Sequence, residues 1–125
     1  MGIKDIIDGV ARAVGATPAV DRTQQTLTDG SPVTPEHREI RADAMQKGYV
    51  VLSDAERARG FVRPVRRTYV HEKCGVATTM GHALAETYAR DPKFYSGTFC
   101  VGCGKHFPVG AAGEFVWDDG GKVGT

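Results

Sequence analysis

The string HEKCG at residues 71–75 and the string CVGCG at 100–104 share one plan: ligand, two residues, ligand, glycine. Together they read H-x2-C-x25-C-x2-C and use all three cysteines of the chain. Two ligands at this spacing let one tight turn grip a metal from both ends. Glycine just past the second ligand permits backbone angles in which N–H groups point at the thiolates. One imidazole and three thiolates are the Cys3His set of closed structural sites, so the spacing predicts Zn2+ held by His71, Cys74, Cys100 and Cys103. His106 is the competing fourth ligand, because Cys100-x2-Cys103-x2-His106 could also close on the ion. His71 is preferred because only that choice makes two matched knuckles.

A catalytic zinc keeps one position open to water and has a carboxylate base nearby. Four protein ligands leave no such position. There is no H-E-x-x-H, and no H-x-E paired with P-C-x-x-C. Glu72, between two ligands, reads as a solvated turn residue, and His37 and His82 have no spacing partner. The expectation is a structural fastening without enzymatic activity.

A second cluster carries charge. Arg57, Arg59, Arg63, Arg66, Arg67 and Lys73 lie close together, with Phe61 and Tyr69 among them. Arginines interleaved with aromatics suit phosphates and stacked bases, so the strip is a candidate contact for nucleic acid or for an acidic partner. The same arginines can instead pair with Asp54 and Glu56. Lys and Arg number 16 against 15 Asp and Glu, a net charge of +1, so the chain as a whole is no polycation.

These residues need elements to position them. Ile3, Ile6, Ile7, Val10, Ala11 and Val14 recur at helical spacing and predict an amphipathic helix over 2–14, suited to docking on a core or a partner. Residues 15–33 lack that period and read as a linker. Thr34 and Pro35 supply an N-cap and first-turn proline for a second helix over 35–47, whose apolar face is thin. Tyr49–Leu52 reads as a strand, and Ser53-x-x-Glu56 as a capping box opening a short helix. Between the knuckles, Thr79 caps a predicted helix over 80–90 with Met80, Leu84, Thr87 and Tyr88 on its buried side. Residues 106–109 and 114–117 read as a hairpin, with Trp117 covering the zinc end of the core, and 118–125 as a Gly-rich tail.

The fold class expected is small α+β: a zinc-ribbon-like domain over 49–125, with one helix between two knuckles. An extended, partly helical arm over 1–48 precedes it. With 125 residues, 16 glycines and one tryptophan, the core is small and a metal staple would help it. No apolar run is long enough to span a bilayer, and mean hydropathy is −0.29. The N-terminus lacks the pattern of a secretion signal, and Ile6 stands where myristoylation needs Ser or Thr. Three thiols without such a signal suit a reducing compartment and metal binding.

From Tyr69 onward, YVHEKCG, TTMGHALAETYARDPKFYSGTFCVGCGKHFPVG and EFVWDDG resemble small zinc-knuckle proteins of tailed bacteriophages and prophages. GYVVLSDAERARGFVRPVRRTYVH belongs to the same resemblance, which covers residues 31–125. It implies a context, a virion or an infected bacterial cytoplasm, rather than a reaction. The expected function is a zinc-stabilised structural protein of a phage particle, such as a capsid decoration or cement protein. Its partners would be other virion proteins or copies of itself. The alternative is a zinc-ribbon module that binds nucleic acid or a host protein during infection.

Overall fold

The computed structural model describes residues 17–125. The predicted helix over 2–14, with Ile3, Ile6, Ile7 and Val10, lies outside the described residues. The rest is a small mixed fold of short antiparallel strands and two short helices. None of its helices is long and apolar enough to cross a membrane.

Strand β1 (Gln25–Leu27) pairs antiparallel with β2 (Val50–Leu52), Thr26 opposite Val51. This corrects the expected arm. The segment read as a linker adds a strand to the body, and the proposed boundary at 48/49 is crossed by a sheet. Ser53 then caps α1 (Asp54–Arg57), its side chain accepting the Glu56 N–H at 3.2 Å. The second half of the capping box is absent, because the Glu56 carboxylate is engaged elsewhere. It meets Arg90 at 2.8 Å and accepts the Asp21 N–H at 3.1 Å. The Arg90 side chain is fully buried and also bonds the carbonyls of Ala19 and Gly60. One ion pair thus ties residues 19–21, α1 and the following helix together.

The predicted helix over 35–47 does not form. Its amides make short turns, His37 N–H to Thr34 and Glu39 N–H to Glu36, and the chain then doubles back. Arg41 N–H bonds the Met45 carbonyl at 2.7 Å, and Ile40 bridges Gln46. Asp43 explains the choice. Its carboxylate takes the Met45 N–H and pairs with Arg41, offering the backbone a turn in place of a helix. The thin apolar face, with Ile40 62% exposed, gave a helix nothing to pack.

Strand β3 (Thr68–His71) is central in a three-stranded sheet, between β4 (Ala77–Thr79) and the final strand β7 (Phe115–Trp117). Helix α2 (His82–Arg90) follows β4. Thr79 belongs to the strand, and the cap position falls to Gly81, with no side-chain cap. Strands β5 (Gly97–Cys100) and β6 (Lys105–Pro108) form a separate hairpin. The predicted pairing of 106–109 with 114–117 is therefore replaced: β6 pairs back on β5, and β7 pairs with β3. The tail is also a correction. Val123 is fully buried, its N–H bonds Phe115 and its carbonyl takes the Gly110 N–H.

The core joins Tyr69, Met80, Ala85, Tyr88, Cys100, Phe115, Trp117 and Val123. Tyr69 stands edge-on to both Phe115 and Trp117, at 5.3 and 6.0 Å between centroids, a favoured arrangement for aromatic pairs. Its hydroxyl donates to the Phe99 carbonyl and accepts from Thr98, and burial pushes its pKa up to about 12. Tyr69 thus links the three-stranded sheet to the β5–β6 hairpin.

Candidate metal centre

His71 ends β3, and the chain turns at once. The Gly75 N–H returns to the His71 carbonyl at 2.7 Å, with Gly75 at φ +74°. Cys100 ends β5, and the second turn repeats the first: Gly104 N–H to the Cys100 carbonyl at 2.8 Å, with Gly104 at φ +66°. Both glycines occupy the left-handed region that other residues enter at a cost, which explains their place after each second ligand. Their own amides bond the first ligand's carbonyl, and neighbouring amides face the sulfurs: the Val76 backbone bonds the Cys74 thiol, and Cys103 N–H meets Cys100 Sγ at 3.4 Å.

The four predicted ligands converge, with His71, Cys74, Cys100 and Cys103 offering ligand atoms all within 4.8 Å of one another. Cys74 Sγ lies 3.6 Å from Cys100 Sγ, and Cys103 Sγ lies 3.5 Å from His71 Nδ1. A tetrahedral ion with bonds of about 2.3 Å to sulfur and about 2.0 Å to nitrogen requires edges of about 3.8 and about 3.5 Å. A disulfide would draw the sulfurs to about 2.0 Å, so this spacing fits a metal and all three thiols are free. His106 stands elsewhere, its Nε2 2.8 Å from the Tyr49 hydroxyl.

Electrostatics agree with the geometry. Although Cys103 is exposed, local desolvation, then hydrogen bonding with Cys74 and Cys100, pushes its thiol up to about 11, while the Val76 backbone holds the Cys74 thiol below its ordinary value. Crowded thiols resist joint ionisation, and a divalent cation among them reverses that preference and draws off their protons. His71 is buried between Phe107 and Phe115, its ring stacked on Phe107 at 4.4 Å. The Phe115 side chain, opposite His71 in the sheet, covers this end of the core. Trp117 pairs with Tyr69, one step further along, which corrects its expected place.

Sequence reasoning missed Glu114. Its Oε1 lies 2.8 Å from His71 Nε2, so that ring nitrogen donates to the carboxylate and Nδ1 is left for a metal. The His71 hydrogen bond is the largest cause holding the Glu114 carboxyl below its ordinary value. No spacing rule could find a partner 43 residues away. Such a carboxylate orients the ring and raises its basicity, so Glu114→Gln is expected to weaken metal affinity by about 10–100-fold. His71→Ala should weaken it further still, and His106→Ala should not change it. Competition with a chromogenic chelator measures all three. Unchanged affinity in Glu114→Gln would deny the carboxylate this role.

The knuckles also touch. A Cβ at Gly102 would come within 2.7 Å of Val76 Cβ, so the tip of the second turn sits directly on the first. Gly102→Ala is expected to push the turns apart and lower metal affinity while leaving the ligand set intact, by the same competition assay.

The arginine strip is largely taken up within the chain. Arg57 bonds the Leu52 carbonyl at 2.9 Å and pairs with Asp54 and Glu86. Arg59 meets Glu56, Arg66 lies over the Trp117 ring and near Asp119, and Arg67 donates to the Met80 carbonyl. Arg63 bonds the backbone at Val62 and Thr125. Comparison with family models, curated proteins and solved structures finds no match to this chain.

Proposed function

We propose that this chain is a non-enzymatic protein fastened by a structural Zn2+, serving as a structural component of a phage particle such as a capsid decoration or cement protein. The observation that carries the metal reading is where the ligands stand. His71 ends the central strand of the three-stranded sheet with Cys74 in the turn that follows it, and Cys100 and Cys103 belong to the β5–β6 hairpin. An ion there ties two separately paired sheets together, with a zinc-ribbon-like arrangement of two facing knuckles. Three thiolates and one imidazole saturate a tetrahedral ion and leave no place for a reacting water.

The particle reading rests on the resemblance to phage zinc-knuckle proteins read from the sequence of residues 31–125 alone. Its partners would be other virion proteins or copies of itself, in a virion or a bacterial cytoplasm. The nucleic-acid alternative through the arginine strip has less support, because Arg57, Arg59, Arg66 and Arg67 have partners within the chain.

Two measurements test the proposal. X-ray absorption of the metal-loaded protein should show zinc with one nitrogen and three sulfur neighbours and no water oxygen. Mass spectrometry of purified particles should find this chain in fixed stoichiometry. Its absence from the particles would remove the virion role and leave the metal reading standing.

A further inference from the structure

A cleft of about 530 Å³ opens where the 22–50 segment meets the chain around Phe94–Gly97 and His106. None of the four metal ligands lines it. Its volume lies within the range of small-molecule sites, about 300–1,000 Å³. The lining holds Arg22, Arg38, His37 and His106, and among the described residues it holds no carboxylate.

The two arginines are in different states. Asp91 grips Arg22 through Nε at 2.6 Å and Nη2 at 3.1 Å, and the guanidinium lies 5.8 Å from the Phe94 ring centroid. Arg22 is therefore fixed in place, with part of its charge balanced. Arg38 is exposed and has no ion pair among the described residues. His106 Nε2 is taken by the Tyr49 hydroxyl at 2.8 Å, and the two arginines carry the permanent charge of the cleft. His37 Nδ1 is tied to the Thr34 carbonyl at 2.8 Å, which leaves Nε2 for a ligand.

A concave wall that offers guanidinium groups beside aromatic rings, and the amides of Gln25 and Gln46, matches one ligand chemistry. Planar guanidinium suits phosphate oxygens, an aromatic face suits a base, and side-chain amides suit base edges. We infer that this cleft binds a nucleotide unit, a phosphate joined to a planar base, with Arg38 and Arg22 on the phosphate and Phe94 or Tyr49 against the base. The inference stands apart from the metal's identity and from a virion location. It also moves any nucleic-acid contact away from the strip at 57–67.

A free mononucleotide and one residue of a single strand present the same chemistry. The test uses the full metal-loaded chain with thymidine monophosphate, a short oligothymidylate and inorganic phosphate as probes, at low salt. Binding is followed by amide chemical shifts and by fluorescence anisotropy. Shifts centred on His37, Gln46 and Phe94 are expected. Saturation by the monophosphate identifies a free nucleotide, and saturation by the oligonucleotide alone identifies a strand. Arg38→Glu should weaken binding about tenfold or more, and Arg63→Glu, an exposed member of the 57–67 strip that bonds only backbone carbonyls, should leave it unchanged. The inference is overturned if neither nucleotide binds, if inorganic phosphate competes as well as the monophosphate, or if Arg63→Glu weakens binding as much as Arg38→Glu.

Discussion

Stripping the metal from the folded protein, or replacing Cys103 with serine, is expected to abolish cooperative thermal unfolding or lower its midpoint by more than about 20 °C. Structural zinc in small domains is worth about 10–16 kcal/mol, which matches or exceeds the whole stability of a typical domain, about 5–15 kcal/mol. Here the ion would join two sheets that otherwise meet at Tyr69 with Phe99 and Thr98, at His71 with Phe107 and at Thr78 with Val101. The core beneath has one tryptophan and one fully buried phenylalanine, Phe115. Cys103 is the informative position because it is exposed, so serine there removes a ligand and little else. Serine at the buried Cys100 would add the cost of burying a more polar hydroxyl. Calorimetry with and without chelator, with metal content measured in parallel, decides the matter. An unchanged cooperative transition in metal-free protein would deny the ion a structural role.

Arg90→Met is the second large effect, an expected fall in melting midpoint of about 10 °C or more. The substitution keeps most of the side-chain length and removes the charge. It leaves the Glu56 carboxylate, only 2% exposed, facing the Asp21 amide and Arg59 without its main partner. The change also releases the Ala19 and Gly60 carbonyls, so faster hydrogen exchange at Asp21 should accompany it. The pair has a pH signature. Glu56 is held at about 2, against an ordinary value of 4.5, with the Arg90 hydrogen bond as the largest cause. Because the folded value lies below the unfolded one, its stabilisation is complete above about pH 5. It is lost as pH falls from about 4.5 toward about 2. Glu56→Gln should flatten that acid limb. The Arg90→Met, Glu56→Gln double variant should cost less than the sum of the two. A strictly additive double variant would mean that the pair does not act as a unit.

What was legible in the sequence was local. The knuckles were readable because ligand, ligand and glycine lie within five residues and obey one geometric demand. Ser53 and the helix near 82–90 were readable because caps and helical spacing are also short-range signals. The failures came where a distant partner or a competing side chain decided the outcome. Asp43 offered a turn inside the expected second helix, and no periodicity score weighs that offer. Strands β6 and β7 were both recognised, but their pairing depended on β5 and β3, which lie on the other side of loops. Glu114 and the Glu56–Arg90 pair unite residues 43 and 34 apart, beyond any spacing rule. The glycines near the end read as looseness, whereas the backbone of Val123 is hydrogen-bonded on both sides.

The outer ligands, His71 and Cys103, lie 32 residues apart and bracket β4, α2 and β5. With the ion bound, tension applied between His71 and Cys103 would run through the metal–ligand bonds before it extended the chain between them. About 110 Å of chain, 32 residues at about 3.5 Å each, would then be shielded from tension until a coordination bond breaks. Such a clasp acts as a mechanical shunt, carrying load from one knuckle to the other.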